Sequence, residues 1–317
     1  MDDVVKRLFA RLEGEDRPET VRALCALGKQ WGADEKQMQP VITRYFKSKR
    51  LRLDMLAEDA LGVFADTDHG RFYAYMRRDD CAVSSDLLTG DLPEQYELEC
   101  FSKYIHPGDT IIDVGANIGY HAVWFAQQVG AQGRVYAFEP EPFNFALLQK
   151  NLLVNGCLQV SAFCCALANT ELMLTLYKNP VNKGDIRAWE PGYRWPSMLT
   201  PCFSLDYFLH RDMFGPVAGM KIDTQGMELA VLAGARELIQ QQPRMVLAVE
   251  FWPKGFEPLR GSKQAFQDLL DELGFTKIYR INTTYEELED VRGKLPTLFT
   301  GKDEKDHGAD LLCLKGW

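Results

Sequence analysis

The stretch Thr110-Ile111-Ile112-Asp113-Val114-Gly115-Ala116-Asn117-Ile118-Gly119 constrains this chain more than any other. Thr110 to Val114 is largely apolar and partly β-branched, as a strand buried on both faces should be. Gly115 and Ala116 follow as a small-residue turn that lets a ligand approach the backbone. Gly119 lets the next helix pack tightly against the strand, and Tyr120 to Gln128 continues with Ala122, Val123, Phe125 and Ala126 on an apolar face. A second apolar strand, Val135-Tyr136-Ala137-Phe138, ends in Glu139 about twenty residues after Gly119, where a carboxylate accepts both hydroxyl hydrogens of a ribose. Together these features predict a nucleoside-binding βαβ unit.

The glycine spacing narrows the nucleoside. A dinucleotide site uses G-x-G-x-x-G to bring backbone amides and a helix N-terminus to a pyrophosphate. Here Gly115-x-Asn117-x-Gly119 breaks that spacing, and Asp113 stands at the strand end. Its charge repels a pyrophosphate and attracts an ammonium. S-adenosylmethionine carries an ammonium, a sulfonium and a ribose for Glu139, so the Asp113/Glu139 pair favours it over NAD. Taken singly, Asp113 reads as a helix cap and Glu139 as a solvated strand end.

At 317 residues the chain accommodates one large α/β domain and an appendage. Hydrophobic residues at 46% and charged residues at 26% suit a soluble globular protein. The net charge of −9 argues against a nucleic-acid substrate, and the basic run at Lys47 to Arg52 reads as the solvated end of a helix. Eight cysteines without a C-x-x-C, two of them (Cys164-Cys165) within an apolar strand, suit reduced thiols in a cytoplasmic protein rather than disulfides or a metal site. The first residues do not read as a signal peptide, and no apolar run is long enough to span a membrane.

Along the chain, residues 2–48 predict two or three amphipathic helices, and 1–60 form an N-terminal helical appendage. Residues 61–66 and 71–77 alternate as the strands of a β-hairpin within a 61–93 linker. The 94–317 domain starts with a helix over 94–104. Strands follow at 110–114, 134–138, 160–165, 218–223, 245–251, 275–281 and 309–315, with an extra one at 171–177. Helices fall between them at 120–128, 143–154, near 205–207, at 226–239 and at 263–273. Such alternation predicts a doubly wound, mostly parallel seven-stranded sheet, with its last two strands as an antiparallel edge hairpin.

Ligands of open α/β sheets bind beyond the carboxyl ends of the strands. Asp113, Glu139, Asp223 and Glu250 all occupy such ends, and four carboxylates on one rim call for cationic ligand groups. With these residues in view, the chain resembles the FkbM family of S-adenosylmethionine-dependent methyltransferases. The resemblance rests on Gly108 to His121, on Ala137-Phe138-Glu139-Pro140 and on Lys221-Ile222-Asp223-Thr224-Gln225-Gly226-Met227-Glu228-Leu229 with Val231 to Ala235. Tyr96-Glu97, Ser204-Leu205-Asp206 and Glu250 also match, so the likeness covers about 94–315. Gln225 departs from it, since many relatives carry Glu there.

The resemblance implies a Rossmann-like fold and O-methylation of a hydroxyl, on a sugar, glycan or secondary metabolite, by in-line attack on the cofactor methyl group. It assigns cofactor contacts to Glu97, Asp113, Gly115, Ala116, Asn117, Gly119, Glu139, Pro140 and Asp223. The fold places adenine near Cys165-Ala166-Leu167. Orientation supplies of the order of 7–11 kcal/mol in favourable intramolecular reactions, and a positioned base about 10²–10⁴-fold. Asp223 is the first candidate base, with His121 and Glu250 in reserve, though His121 reads equally well as a packed side chain. Asp206 reads as a helix N-terminal acid.

The polar-aromatic segment 178–200 reads as an irregular lid over the acceptor, with Asn182, Arg187, Trp189 and Trp195 as candidate substrate contacts. Packing of the tryptophans on the sheet is the competing reading. For residues 1–60 the expectation is dimerisation or a cap over the cleft. Two other classes stay open on sequence alone, a non-catalytic cofactor-binding protein and an NAD-dependent oxidoreductase.

Overall fold

The computed structural model describes residues 63–67, 70–74, 87, 94–180, 182–192, 194–211, 213–282, 287–299 and 308–317. The helical appendage over 1–60 and most of the linker up to residue 93 lie outside the described residues. In chain order the strands are β1 (Val63–Thr67), β2 (Gly70–Ala74), β3 (Thr110–Val114), β4 (Arg134–Phe138), β5 (Val160–Phe163), β6 (Ala166–Leu167) and β7 (Met173–Lys178). They continue with β8 (Ile186–Arg187), β9 (Ser197–Phe203), β10 (Gly219–Ile222), β11 (Met245–Phe251), β12 (Lys277–Asn282), β13 (Glu287–Asp290) and β14 (Ala309–Lys315).

The main sheet runs β13-β12-β14-β11-β10-β3-β4-β5. It is parallel from β5 to β11, and β14, β12 and β13 add to it antiparallel. The expected doubly wound sheet is present, with an eighth strand at the edge that the sequence pattern did not reveal. The expected antiparallel pairing of the last two predicted strands is present as β12 with β14; β14 also pairs with β11, and β13 adds outside β12.

Strand alternation divides the core between the two faces. Ile112, Val114, Met220 and Ile222 pack on one side with the helices after β10 and β11. Ile111 packs on the other, with Phe101 of the helix Gln95–Ser102 and with Val123 and Phe125 of the helix Tyr120–Val129. Asp113 and Lys221 are register partners on β3 and β10. By period-two alternation both side chains enter this second face, under the helix Gln95–Ser102. The hairpin of β1 and β2 docks nearby, with Phe72 buried 5.5 Å from the ring of Tyr120.

A second sheet, ordered β6-β9-β7-β8, grows out of the chain after β5. It corrects the irregular reading of 178–200, which contains β8 and the first half of β9. β8 pairs only two residues, Ile186 and Arg187, too short a run to leave an alternating pattern. The single helix expected at 226–239 is two, Glu228–Ala233 and Arg236–Gln241. Gly234 caps the first of them, and the position needs a glycine because a β-carbon there would stand 2.2 Å from the Ala168 carbonyl oxygen. Asp206 caps the second of these helices, accepting from the amides of Glu237 and Leu238. That is the partner helix, not its own.

Candidate active site

A cleft of about 210 Å³ opens at the carboxyl ends of β3, β4 and β10. Its walls include Gly115, Ala116, Asn117, His121, Glu139, Pro140, Ala166, Asn182 and Asp223. Glu94, Thr224, Gln225 and Met227 also line it. Its position is that expected of a ligand site in an open α/β sheet, at the point where the strand order reverses about β3.

The turn after β3 is built around Glu139. The amides of Gly115 and Ala116 both donate to the Phe138 carbonyl, at 2.9 and 3.0 Å, drawing the turn onto the end of β4. Asn117, in left-handed backbone with φ 49°, donates its own N–H to Glu139 Oε2 at 2.8 Å. Glu139 Oε1 accepts from the Glu141 amide at 2.9 Å. The carboxylate is thus fixed before any ligand arrives. Burial pushes it up to about 7 even though these two amides favour its charge. Ribose hydroxyls are the donors such a carboxylate lacks.

Two glycines have roles other than those expected. The missing side chain of Gly115 makes room for the backbone of β10, since a β-carbon would lie 1.8 Å from the Asp223 carbonyl oxygen. At Gly119 the neighbour is Leu148 of the helix Pro142–Val154, 2.6 Å from a would-be β-carbon, rather than the preceding strand. Both have positive φ.

Behind the cleft lies an ionic cluster centred on Lys221, which is 4% exposed. Its Nζ is 3.2 Å from Glu94 Oε2, 3.4 Å from Asp223 Oδ2 and 3.8 Å from Glu97 Oε1. Burial alone would lower the ammonium, but Glu94, Glu97, Asp223 and Asp113 hold it charged. Burial raises Asp113 to about 6 and Asp310 to about 6. It also lifts Glu97 and Glu250 well above the usual carboxylate range. Glu94 alone goes the other way, its burial outweighed by the Lys221 ammonium and the neighbouring His121.

Four expected contacts change place. Asp113, Glu97, Gly119 and Glu250 do not line the cleft: strand alternation turns Asp113 under the helix Gln95–Ser102, Glu97 sits in that helix's buried face, and Gly119 packs against Leu148. Glu250 reaches the cleft only through Gln225, whose Nε2 donates to Glu250 Oε2 at 3.2 Å and to Asp223 Oδ1 at 2.9 Å. Glu94 and Lys221, which sequence reasoning assigned no role, complete the site. A lysine at the end of an apolar strand was the available signal.

The proposed acceptor contacts separate too. Asn182 lines the cleft, but Arg187, Trp189 and Trp195 do not. The Arg187 guanidinium pairs bidentately with Asp185 at 2.7 and 2.9 Å, and lies 4.9 Å from the ring centroids of Trp189, Trp195 and Trp252 alike. It is consumed by the fold. Among the described residues no His, Cys, Asp and Glu group is arranged to hold a metal ion.

The family described as "Methyltransferase FkbM domain" matches residues 113–281, more than half of the chain. The chain belongs to the FkbM methyltransferase family. Among curated proteins it is 28% identical over 195 residues to "Methyltransferase sdnD" of Sordaria araneosa, covering 52% of this chain and 73% of that one. It is 24% identical over 156 residues to "Methyltransferase 1" of Beauveria bassiana, covering 43% of this chain and 62% of that protein. Among solved structures, the FkbM methyltransferase of Methylobacillus flagellatus aligns with a TM-score of 0.41 at 17% identity, over 73% of this chain and 52% of that one.

S-adenosylmethionine is the cofactor of this FkbM methyltransferase, and the residues present fit it. Glu139 would hold the ribose, the turn Gly115–Ile118 would cradle the cofactor, and Cys165, Ala166 and Leu167 would flank the adenine. When bound, the cofactor supplies an electrophilic methyl group. Asp223 and Glu94 offer negative charge beside it.

Proposed function

We propose that this FkbM methyltransferase transfers its methyl group to a neutral hydroxyl, on a sugar, glycan or secondary metabolite. The observation that supports this reading is the charge of the cleft wall. Glu94, Glu139 and Asp223 line it, and no lysine or arginine does among the described residues. An acceptor bearing a phosphate or carboxylate would meet like charge there and find no cation in the wall to pair with, whereas a hydroxyl meets hydrogen-bond acceptors. Asp223, whose side chain is 31% exposed, is held by Lys221 and Gln225 and presents negative charge to the cleft. Action in the cytoplasm, and dimerisation or cleft capping through residues 1–60, belong to the same reading.

The test is transfer of an isotopically labelled methyl group to a panel of neutral polyhydroxylated compounds, phosphorylated and carboxylated analogues, and RNA. Label is expected in the neutral compounds, in a linkage stable to mild base as an ether is. Label confined to base-labile esters, to amines or to RNA would overturn the proposal.

A further inference from the structure

We propose that His121 takes the proton from the acceptor hydroxyl, and that Glu94 positions it for that role. This rests on the O-methylation reading above and assigns the group that completes the chemistry. An alcohol that attacks carbon must lose its proton, and Asp223 is poorly suited to receive it. Both of its oxygens already accept, Oδ1 from Gln225 and Oδ2 from the Lys221 ammonium.

His121 is placed differently. It lies in the first turn of the helix Tyr120–Val129 and lines the cleft beside Glu94 and Asp223. Its Nε2 stands 3.1 Å from Glu94 Oε2, and that same oxygen is 3.2 Å from Lys221 Nζ. Lys221 anchors the carboxylate and keeps it ionised. Neither Nε2 nor Oε2 makes a hydrogen bond as placed; the ionised carboxylate at 3.1 Å favours the ring proton on Nε2, which leaves the lone pair on Nδ1. Glu94 is held in position by its own backbone, in the left-handed region with φ 51° at the N-terminus of the helix Gln95–Ser102. The other charged groups around the ring are Asp113 on β3, Lys221 and Asp223 at the end of β10, and Asp310 on β14.

In the reaction the acceptor oxygen gains its bond to the methyl carbon and gives its proton to Nδ1. The electron pair of the broken carbon–sulfur bond leaves with sulfur. The imidazolium formed beside Glu94 then releases its proton to solvent. The arrangement parallels the carboxylate–histidine pair of hydrolases, where the acid fixes the tautomer and stabilises the charge that develops on the ring.

Nitrogen-resolved NMR of the imidazole, in the full chain with S-adenosylhomocysteine bound, tests the pair without any acceptor. The neutral ring is expected as the Nε2-protonated tautomer in wild type, as a mixture in Glu94→Ala, and restored towards one tautomer in Glu94→Asp. A wild-type ring protonated on Nδ1 would overturn the proposal. On the neutral hydroxyl panel, His121→Ala should lose about 10²–10⁴-fold in kcat while calorimetry shows S-adenosylhomocysteine binding retained. Wild-type kcat in His121→Ala would also overturn it. Absence of hydroxyl transfer by the wild type counts against the O-methylation reading instead, and leaves the tautomer to decide the pair.

Discussion

Asn117 donates its backbone amide to Glu139 at 2.8 Å, tying the turn after the first parallel strand to the acid at the end of the second. The nucleoside pocket is therefore preformed, and its key carboxylate has one oxygen on each of two amides. Preorganisation of this kind limits what ordering must cost when the ligand binds.

Glu139→Ala should weaken S-adenosylhomocysteine binding by the loss of charge-assisted hydrogen bonds, about 1.5–3 kcal/mol each. The affinity should also depend on pH. Glu139 titrates near 7 in the free protein, and ribose donors favour its ionised form. Affinity is then full above pH 7 and falls as the pH drops through 7, by at most about tenfold per unit. Calorimetry across this range reads the slope, and Glu139→Gln should flatten it.

Lys221→Met should destabilise the fold by about 3–5 kcal/mol. It removes the cation shared by Glu94, Glu97 and Asp223 and leaves those carboxylates facing one another and Asp113. Urea unfolding followed by circular dichroism measures the loss. A variant as stable as wild type would show that the cluster is neutral rather than paired.

Gly115→Ala should cost upwards of about 2 kcal/mol through backbone strain and remove cofactor binding. The added carbon meets the Asp223 carbonyl oxygen, a backbone atom that cannot rotate away, at a residue with φ 84°. A thermal melt with and without S-adenosylhomocysteine checks both effects.

Arg187→Lys should not conserve function of the second sheet. It loses the fork to Asp185 and the face contacts with three tryptophans, worth about 2 kcal/mol for a desolvated pair. Acrylamide quenching of tryptophan fluorescence should rise relative to wild type, since Trp195 is buried beside the guanidinium.

The parts of this site that sequence reasoning reached are local. A strand with an acid at its end, a turn of small residues and a helix with an apolar face each leave a short-range pattern, so the β3 unit and Glu139 were legible. The doubly wound alternation was legible for the same reason. Lys221 was not, because Glu94 and Glu97 come from a helix far earlier in the chain, and only the packing of that helix over the paired β3 and β10 brings them to it. Arg187 illustrates the opposite error. A guanidinium among tryptophans reads as a ligand contact until Trp252, just past the end of β11, closes the cage around it. The second sheet escaped notice because β6 and β8 are two residues each, shorter than any period.

The placement of β14 has a consequence for the order in which this protein is made. Its seven residues pair with β11 on one side and with β12 on the other. During synthesis β11 and β12 both leave the ribosome well before the strand that joins them, each with an open edge. Closing that gap requires contacts between distant parts of the chain, which form slowly. Completion of the Lys221 cluster, to which β14 brings Asp310, waits on residues 309–315. The nucleoside half, from β3 to β5, does not.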